Sequence, residues 1–363
     1  MTTQRINVIH PDDLSPTDVD LWDEVRVRTA PVANPFMSSQ FCQAVGRVRP
    51  GARVAVVRQD GEPAGFFPFE RGRWGRGRAI GLGVSDCQGA VLRSDLHVDP
   101  RELLRASALA VWEFNHLESG QELFLPFATG RFASPVVDLS GGYGQYETLL
   151  RTRSRKFLKS TLAQDRRLAR HVGPLKFVFD ERSPAALRTL MAWKSAQYRR
   201  TGRRDRFAQT WITNLVRMLA GTTAPACSGV LSVLYAGDRP VAAHFGLRSR
   251  TVLSCWFPAY DRNFAKFSPG LVLHLRMIEA AAAAGIEMLD LGRGDAAYKD
   301  SLKTRELMVH EGALLRPGPG AVLHRLSREP SRAIRRFVRE RPQLKTAAVH
   351  TLESVGKMRD RRS

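Results

Sequence analysis

The chain has 363 residues, 43% of them hydrophobic, so it can bury an ample core and is not predicted to be disordered. Its formal charge of +21 attracts anions of many kinds, including nucleic acid, anionic lipid and phosphorylated cofactors, without choosing among them. The four cysteines form no Cys-x-x-Cys pair and no histidine stands at zinc spacing, which argues against a disulfide framework and against a metal site. The N-terminal residues lack a signal segment and no apolar run approaches the ~18 residues of a membrane span, so we expect a cytoplasmic protein.

The first part of the chain predicts a mixture of strands and helices. Ser15 and Pro16 are typical of the cap and first position of a helix, which we expect to end near Arg28. The turn sequence DGEP at 60–63 lies between two apolar segments and predicts a hairpin. A second helix is expected over 100–117. The predicted strands of this part are 5–9, 53–59, 64–70 and a segment near 122–127.

A basic segment, 145–171, comes next and is predicted to be helical. Between Arg151 and Arg170 it carries eight basic residues and one acidic residue, and its leucines recur at an approximate helical spacing. The segment is either a helix with a solvated charged face or a surface that contacts anions, and the sequence favours neither.

The second part of the chain predicts helices over 183–202 and 211–220. Three strand-like segments follow at 229–235, 241–247 and 251–257, and the first two are separated by a turn sequence that predicts a hairpin.

The helix that follows these strands has the clearest boundaries in the sequence. Ser268 is predicted to accept a hydrogen bond from a free backbone N–H group, Pro269 suits the first helical position, and Gly285 suits the end. The next strand, 286–291, is expected to run parallel to 251–257 because the helix is a crossover connection.

The first turn of this helix is a candidate binding site for an anionic cofactor. Its free N–H groups and its dipole favour negative charge, and a lysine lies two residues before the cap. The candidate cofactor-binding residues are Lys266, Ser268, Gly270 and Leu271, together with Arg293 on the loop after the next strand.

A polar cluster lies in the stretch MLDLGRGDAAYKD, at the end of strand 286–291. Strand alternation places Asp290 where the strand leaves the core, and two glycines let the chain turn around Arg293. Asp295 is predicted to cap a short helix that carries Tyr298 and Lys299. The candidate catalytic residues of this stretch, near the anion site, are Asp290, Asp295, Tyr298 and Lys299. The alternative is an ion pair from Asp290 to Arg293 or Lys299 that closes the loop.

Two further residues are candidates for catalysis. His244 alternates with small residues on its strand, which leaves room for a ligand, and a neutral histidine can take a proton from an ammonium group near pH 7. The alternative is a histidine that packs in the core. Asp261 could bind an acceptor amine, or it could close a turn with Asn263.

At these residues the sequence resembles the CelD/BcsL-like acyltransferases of the GNAT superfamily. The resemblance covers about residues 30–316 and implies an α+β fold with a mixed sheet, built as two tandem GNAT-like lobes, an arrangement shared with the FemABX peptidyltransferases. The expected division is an N-terminal lobe over 1–147, a catalytic lobe over 148–317 and a basic helical tail over 318–363. The motifs that carry the resemblance are AYD at 259–261, SPG at 268–270, Gly285 and DLGRGDAAYK at 290–299, with weaker matches in NPF at 34–36, the DGEP hairpin, SDCQG at 85–89 and the helix that contains Trp193 and Lys194.

The resemblance implies transfer of an acyl group from acetyl-CoA or another acyl-CoA to an amine, with pantetheine between two splayed parallel strands, here 251–257 and 286–291. A strand N–H group would polarise the thioester carbonyl, and Tyr298 could protonate the leaving thiolate. The sequence departs from the usual GNAT pattern before the crossover helix, where FAKFSPG at 264–270 replaces a pyrophosphate loop with several glycines.

Two other functions fit the sequence. One is a FemABX-like transfer from aminoacyl-tRNA, which the basic surface would suit, although the long helical hairpin frequent in those enzymes has no counterpart here. The other is a noncatalytic basic scaffold of a surface-polysaccharide machine. The tail has twelve basic and four acidic residues and is either a solvated helix or a contact with anionic lipid at the inner face of the membrane. For the enzyme we expect a small-molecule or glycan acceptor and no nucleic acid partner.

Overall fold

A mixed sheet lies at the centre of the computed structural model, which describes residues 3–29 and 32–317. The predicted helices of the tail, 318–363, lie outside the described residues. The strands are β1 (Gln4–Ile9), β2 (Ala52–Gln59), β3 (Glu62–Arg71), β4 (Arg76–Ala79), β5 (Val91–Leu92), β6 (Val111–Glu118), β7 (Ala128–Asp138), β8 (Leu175–Val178), β9 (Thr223–Ala224), β10 (Cys227–Ala236), β11 (Arg239–Arg248), β12 (Val252–Tyr260), β13 (Met288–Asp290) and β14 (Arg305–Leu315). The helices are α1 (Pro16–Thr29), α2 (Ser39–Val48), α3 (Pro100–Ala106), α4 (Gly142–Arg153), α5 (Arg155–Val172), α6 (Pro184–Arg200), α7 (Thr210–Ala220), α8 (Pro269–Ala283) and α9 (Ala297–Leu302).

The sheet is continuous across both halves of the chain. Its order is β1-β2-β3-β4-β6-β14-β7-β13-β12-β11-β10-β8, with β5 beside β3 and β9 beside β10. Two neighbouring pairs, β4/β6 and β12/β13, are parallel, and the other pairs are antiparallel. Because β7 pairs with β13 and β14 pairs with β6, each half contributes a strand to the sheet of the other half. The predicted mixed sheet is confirmed, and residues 147 and 148, where we expected the lobes to divide, lie within α4.

Helices cover the sheet on both faces. One core contains α1, α2, α6 and α7, and in it Phe36 from the first half packs edge-on against Trp256 of β12, with ring centroids 5.2 Å apart. The opposite face of the second half is covered by α4, α5 and α8. Within the described ranges, no helix is both long enough and apolar enough to cross a bilayer. The two halves are therefore joined by a shared apolar core as well as by the sheet.

The start of α1 and the hairpin between β2 and β3 form as predicted from the local sequence. Ser15 Oγ accepts from the Asp18 N–H group while the Asp18 carboxylate accepts from the Ser15 N–H group, a reciprocal cap that starts α1. Asp60 and Gly61 both adopt positive φ, at 52° and 92°, which a two-residue hairpin turn between β2 and β3 requires.

The predicted helix over 100–117 is wrong in its second part. α3 ends at Ala106, and Val111–Glu118 is strand β6. Ala108 adopts a left-handed backbone with φ 53°, which stops the helix, and the large apolar side chains beyond it are buried in the sheet between β4 and β14. The strand expected near 122–127 is also wrong, since 125–127 form a 3-10 turn and β7 begins only at Ala128.

The basic segment 145–171 forms two helices, α4 and α5, with a break at Ser154. Leu150, Leu158 and Leu168 are buried as the apolar spacing predicts, whereas Leu149 and Leu162 are exposed. One helical stripe could not bury all of these leucines because the break at Ser154 changes the direction of the chain.

Candidate active site

A gap opens where β12 and β13 diverge. The two strands are parallel, as predicted, but they pair over only three residues, and the last pair is Ser254 with Asp290. Beyond it β12 continues to Tyr260 beside β11, while the chain after Asp290 turns away at Gly292, whose φ is 74°. The edge of β12 that faces the gap therefore has no partner in β13 beyond Ser254.

A buried hydrogen-bond network closes the base of this gap around Asp290. The Asp290 carboxylate accepts from Ser134 Oγ at 2.9 Å, from the Gly292 N–H group at 2.9 Å and from Asn34 Nδ2 at 3.2 Å. Asn34 Oδ1 in turn accepts from Ser254 Oγ at 3.2 Å. Burial raises the pKa of Asp290, and the hydrogen bonds from Gly292 and Ser134 oppose that rise. Asp290 thus ties both halves of the chain to the end of β13, and neither Arg293 nor Lys299 forms the alternative ion pair with it.

His244 lies beneath a β-bulge in β12. The register places Phe257 opposite Phe245 and Cys255 opposite Gly246, so Trp256 is the extra residue. His244 Nε2 accepts from the Trp256 N–H group at 3.2 Å, while Nδ1 has no partner among the described residues. The ring is fully buried, and burial lowers the pKa of His244 well below its ordinary value. This histidine is neutral and shielded from solvent, so it is poorly placed to take a proton from an acceptor.

Aromatic side chains line the gap on the side of α8. The His274 ring lies 6.2 Å from the His244 ring and 5.1 Å from the Tyr298 ring, and its Nδ1 donates to the Gly270 carbonyl at 2.6 Å. Tyr298 is half-buried beside Cys255, and burial raises the pKa of Tyr298 to about 12. The Tyr298 phenol is consequently protonated at neutral pH and can serve as a proton donor.

The first half of the chain supplies the opposite wall of the gap through Asp86. Its Oδ2 would lie 3.3 Å from a β-carbon at Gly292, and its side chain is 26% exposed. No hydrogen-bond donor of the described residues reaches its oxygens. Burial raises the pKa of Asp86 to about 6, and the positive charges of Arg206 and Lys299 oppose that rise. A carboxylate with this pKa at an accessible position fits a general base.

The His116 side chain lies near Asp86 but does not donate a hydrogen bond to it. The two side chains approach at 3.7 Å between His116 Nε2 and Asp86 Oδ1. Asn115 Oδ1 lies 2.9 Å from His116 Nδ1, and because an amide oxygen only accepts, we assign the proton to Nδ1. Burial and the charge of Arg293 lower the pKa of His116 to about 4, so the ring is neutral and turns a lone pair toward Asp86.

The first half of the chain has a counterpart of this gap, and it is closed. β4 and β6 form a parallel pair like β12 and β13, but the chain after β4 returns to β6, where Gln88 bridges to Leu117. Gln88 is buried and its side-chain oxygen accepts from the N–H groups of Asn115 and His116. This closure holds the loop that presents Asp86 to the second half. Of the two parallel pairs, β12 and β13 therefore form the one that opens into a gap.

The start of α8 lies at the far end of the gap. Ser268 adopts a left-handed backbone with φ 49° and its side chain makes no capping bond, so the predicted Ser268 cap is wrong. The Leu271 N–H group donates to the Ser268 carbonyl at 2.9 Å, while Gly270 and the exposed Lys266 lie beside it. Asp261 caps the preceding 3-10 turn by accepting from the Asn263 N–H group, which is the turn role considered for it.

Two predicted residues after β13 do not take the positions expected of them. Arg293 pairs with Glu311 at 3.2 Å, donates to the Asn115 carbonyl and stacks on the Phe132 ring at 3.3 Å, so it faces the first half of the chain and not the start of α8. Asp295 is exposed, and the residue at the cap position of α9 is Ala296, so the predicted Asp295 cap is wrong.

Lys299 joins the predicted residues that the structure brings to the gap. It is nearly buried, and its Nζ donates to the Gly292 carbonyl at 2.8 Å.

Sequence reasoning missed four residues at the gap: Asp86, His116, His274 and Lys194. The polar sequence SDCQG at 85–89, which follows a glycine-rich segment, was a signal that could have indicated Asp86. Among the described residues, no group of His, Cys, Asp and Glu side chains is arranged to hold a metal ion.

Comparison with known proteins identifies the fold. The acetyltransferase (GNAT) domain family matches residues 155–300, which include β12, α8 and β13. No curated protein sequence matches the chain. The solved structures that share its fold include the C-terminal domain (DUF2156) of a putative lysylphosphatidylglycerol synthetase from Agrobacterium fabrum (14% identity, 85% of this chain and 95% of that chain, TM-score 0.53), a tandem GNAT protein from the clavulanic acid biosynthesis pathway (10%, 87% and 100%, 0.52) and FemX (12%, 85% and 96%, 0.53). The chain therefore has a mixed α/β GNAT-like fold similar to that of tandem GNAT proteins.

Proposed function

We propose that the protein is an acyl-CoA-dependent N-acyltransferase that moves an acyl group, acetyl in the simplest case, to an amine. The observation that carries the proposal is the open gap between β12 and β13, which has an accessible carboxylate on one side and a protonated phenol on the other. The GNAT domain match over 155–300 supports the reaction class. The resemblance to the CelD/BcsL-like enzymes supports an acceptor from polysaccharide or cell-envelope biosynthesis, at the inner face of the membrane.

Asp86 is the proposed general base. An amine attacks a thioester only after its ammonium form loses a proton, and a base with a pKa near 6 is mostly ionised at neutral pH while it still accepts a proton effectively. The pKa of His244 lies well below the ordinary value, so that histidine is the weaker base. We assign to His244 the positioning of the Trp256 N–H group in the bulge.

Tyr298 is the proposed acid. When the tetrahedral intermediate collapses, the carbon–sulfur bond breaks and the sulfur of coenzyme A leaves with the bonding electron pair, which a phenol proton can neutralise. The half-buried position of Tyr298 beside Cys255 suits a thiol that enters the gap from the side of α8.

Replacing the phenol provides a specific prediction. Tyr298→Phe is expected to lower kcat by about 10²-fold with an acyl-CoA, because the leaving thiolate loses its proton donor. With an aryl thioester, whose thiolate leaves without protonation, the loss should be much smaller. Steady-state kinetics with both donors measure the difference, and Tyr143→Phe, a half-buried tyrosine elsewhere, is the control. Equal losses with both donors would contradict the assignment.

Donor binding tests the proposal as a whole. Gly270→Glu and Lys266→Glu should each weaken acyl-CoA binding by about 10-fold or more, because both place negative charge where the donor phosphates are expected. A side chain fits at Gly270, whose added β-carbon would meet Tyr260 at an ordinary 3.5 Å, so the fold should be retained. Lys156→Glu, an equal charge reversal on exposed α5, is the control. No calorimetric binding of acyl-CoA to the wild-type protein at millimolar concentration would overturn the proposal.

The start of α8 also favours a second candidate, transfer from aminoacyl-tRNA. Residues 262–267 form a 3-10 turn whose Phe264 and Phe267 are buried, and this turn offers fewer free N–H groups to a diphosphate than a glycine-rich loop. Binding of aminoacyl-tRNA with a steep salt dependence, in a protein that does not bind coenzyme A, would favour this candidate. The noncatalytic scaffold predicts neither binding event, and it predicts that deletion of 318–363 removes the partner.

A further inference from the structure

Several cations lie at the gap near Asp86. Lys194 projects from α6, and its Nζ donates at 2.8 Å to the Pro258 carbonyl, in the part of β12 that has no partner in β13. The same ammonium lies 5.4 Å from the Tyr198 ring. Arg203 and Arg206 lie on the segment that joins α6 to α7, and Lys299 approaches from α9.

The charges of these side chains act on one another and on Asp86. The charges of Arg206 and Lys299 lower the pKa of Asp86 against the effect of burial. Burial, followed by the charges of Arg203, Arg206 and Lys299, lowers the pKa of Lys194 to about 8. The hydrogen bonds of Lys194 to the Pro258 carbonyl and of Lys299 to the Gly292 carbonyl place both ammonium groups at the gap. The charge effects add Arg206 and the exposed Arg203 to the same positive region.

Three of these four cations have no carboxylate partner in the described part of the chain. Among the described residues, none of Lys194, Arg203 and Arg206 forms an ion pair with a carboxylate, and no carboxylate charge opposes the effect of the neighbouring cations on Lys194. The carboxylates of Asp86, Asp290 and Asp295 act on Lys299 instead. The neighbouring Arg199, in contrast, lies 3.6 Å from Asp205. Like charges held together in a partly desolvated cleft destabilise a fold, and such arrangements gather at sites that bind an opposite charge.

We infer that this cluster of Lys194, Arg203, Arg206 and Lys299 binds a phosphoryl group on the amine acceptor. The inference rests on the proposed function and names its substrate class, a phosphorylated amine. Lysine and arginine are the usual partners of phosphate oxygens, and the cluster surrounds the carboxylate that would receive the proton of the amine. The donor phosphates are expected at Lys266 and Gly270, so the experiments below keep coenzyme A bound to distinguish its site from that of the acceptor phosphate.

The first experiment uses inorganic pyrophosphate as the probe. Full-length protein is saturated with coenzyme A, so that the donor site is occupied, and pyrophosphate binding is measured by calorimetry. Lys194→Gln combined with Arg206→Gln should weaken this binding by about 10- to 100-fold, because charge-assisted hydrogen bonds are lost. Arg204→Gln, an exposed arginine on the same segment, should leave it unchanged. The double variant should fold normally, since it relieves repulsion between like charges.

The second experiment identifies the source of the phosphate by competition. Glucosamine, glucosamine 6-phosphate and UDP-glucosamine are compared as competitors of pyrophosphate, and the two phosphorylated sugars should displace it at lower concentrations than the unphosphorylated amine. The phosphorylated sugar that displaces pyrophosphate at the lower concentration shows whether the site prefers a monophosphate or a nucleotide diphosphate. In the double variant the advantage of the phosphorylated sugars should disappear.

Three outcomes would overturn the inference. These are no pyrophosphate binding in the presence of coenzyme A, equal displacement by phosphorylated and unphosphorylated sugars, and weaker coenzyme A binding in the double variant, which would assign the cations to the donor. Failure of the proposed function has a different signature, since coenzyme A itself would then not bind to the wild-type protein. Displacement of pyrophosphate by RNA alone would likewise count against a small phosphorylated acceptor.

Discussion

Asp86→Asn is expected to lower kcat/KM for amine acylation by about 10²- to 10⁴-fold, the usual contribution of a general base. The amide has nearly the same shape as the carboxylate but cannot accept the ammonium proton. In the wild-type protein kcat/KM should rise with pH through about 6, as Asp86 ionises, and this limb of the profile should be absent in the variant. Asp95→Asn, an exposed aspartate beyond the same loop, is the control and should retain full activity.

The same substitution should not destabilise the protein at pH 8. Because the pKa of Asp86 is raised in the folded state, the folded protein binds this proton more tightly than the unfolded chain does, and stability falls as the pH rises from about 4 to about 6. Asp86→Asn removes that fall. The free energy of unfolding of the variant at pH 8 should therefore exceed that of the wild type by about 1–2 kcal/mol, a range that allows for the exposed part of the Asp86 side chain.

Urea unfolding at pH 4 and at pH 8, together with kinetics on the same preparations, measures both effects. A gain in stability combined with a loss of activity would mark Asp86 as a residue retained for function. An Asp86→Asn variant that keeps wild-type kcat/KM with the natural amine would contradict its assignment as the base. A variant that loses activity and stability together would indicate a structural role instead.

The sequence predicted the parts of the site whose signals are local. Pro269 and Gly285 delimit α8, and the apolar segments on either side of it predict the parallel pair β12 and β13, because a helix of this length connects parallel strands. The alternation within 286–291 placed Asp290 at the end of its strand. These features depend on neighbouring residues, and single-sequence patterns describe such neighbourhoods well.

The rest of the site depends on contacts between distant parts of the chain. Asn34 and Asp290 are 256 residues apart yet form a hydrogen bond, and Asp86 reaches Gly292 only because Gln88 fastens its loop to β6. β6 itself was predicted to be helical, since its tertiary partners β4 and β14 decide its conformation and short-range propensity does not. Without β6 in the sheet, no sequence pattern could place Asp86 in the gap.

Asp290→Ala is expected to lower the free energy of unfolding by about 2–4 kcal/mol, because it leaves buried donors on Ser134, Asn34 and Gly292 without an acceptor. The loss is less than the sum of three broken bonds, since the substitution also removes a carboxylate whose pKa is raised by burial.

Asp290→Asn should destabilise the protein less than Asp290→Ala does. Its oxygen can still accept from Ser134 and Gly292, while its amide group opposes that of Asn34. Asp300→Ala, which removes an exposed aspartate paired with Lys303 on the nearby helix α9, should leave the free energy of unfolding nearly unchanged. Urea unfolding of the three variants measures this order, and coenzyme A binding should weaken in the same order because the network fixes where β12 and β13 separate. Equal stability of Asp290→Ala and Asp300→Ala would show that the gap is held open by the surrounding apolar core and not by this carboxylate.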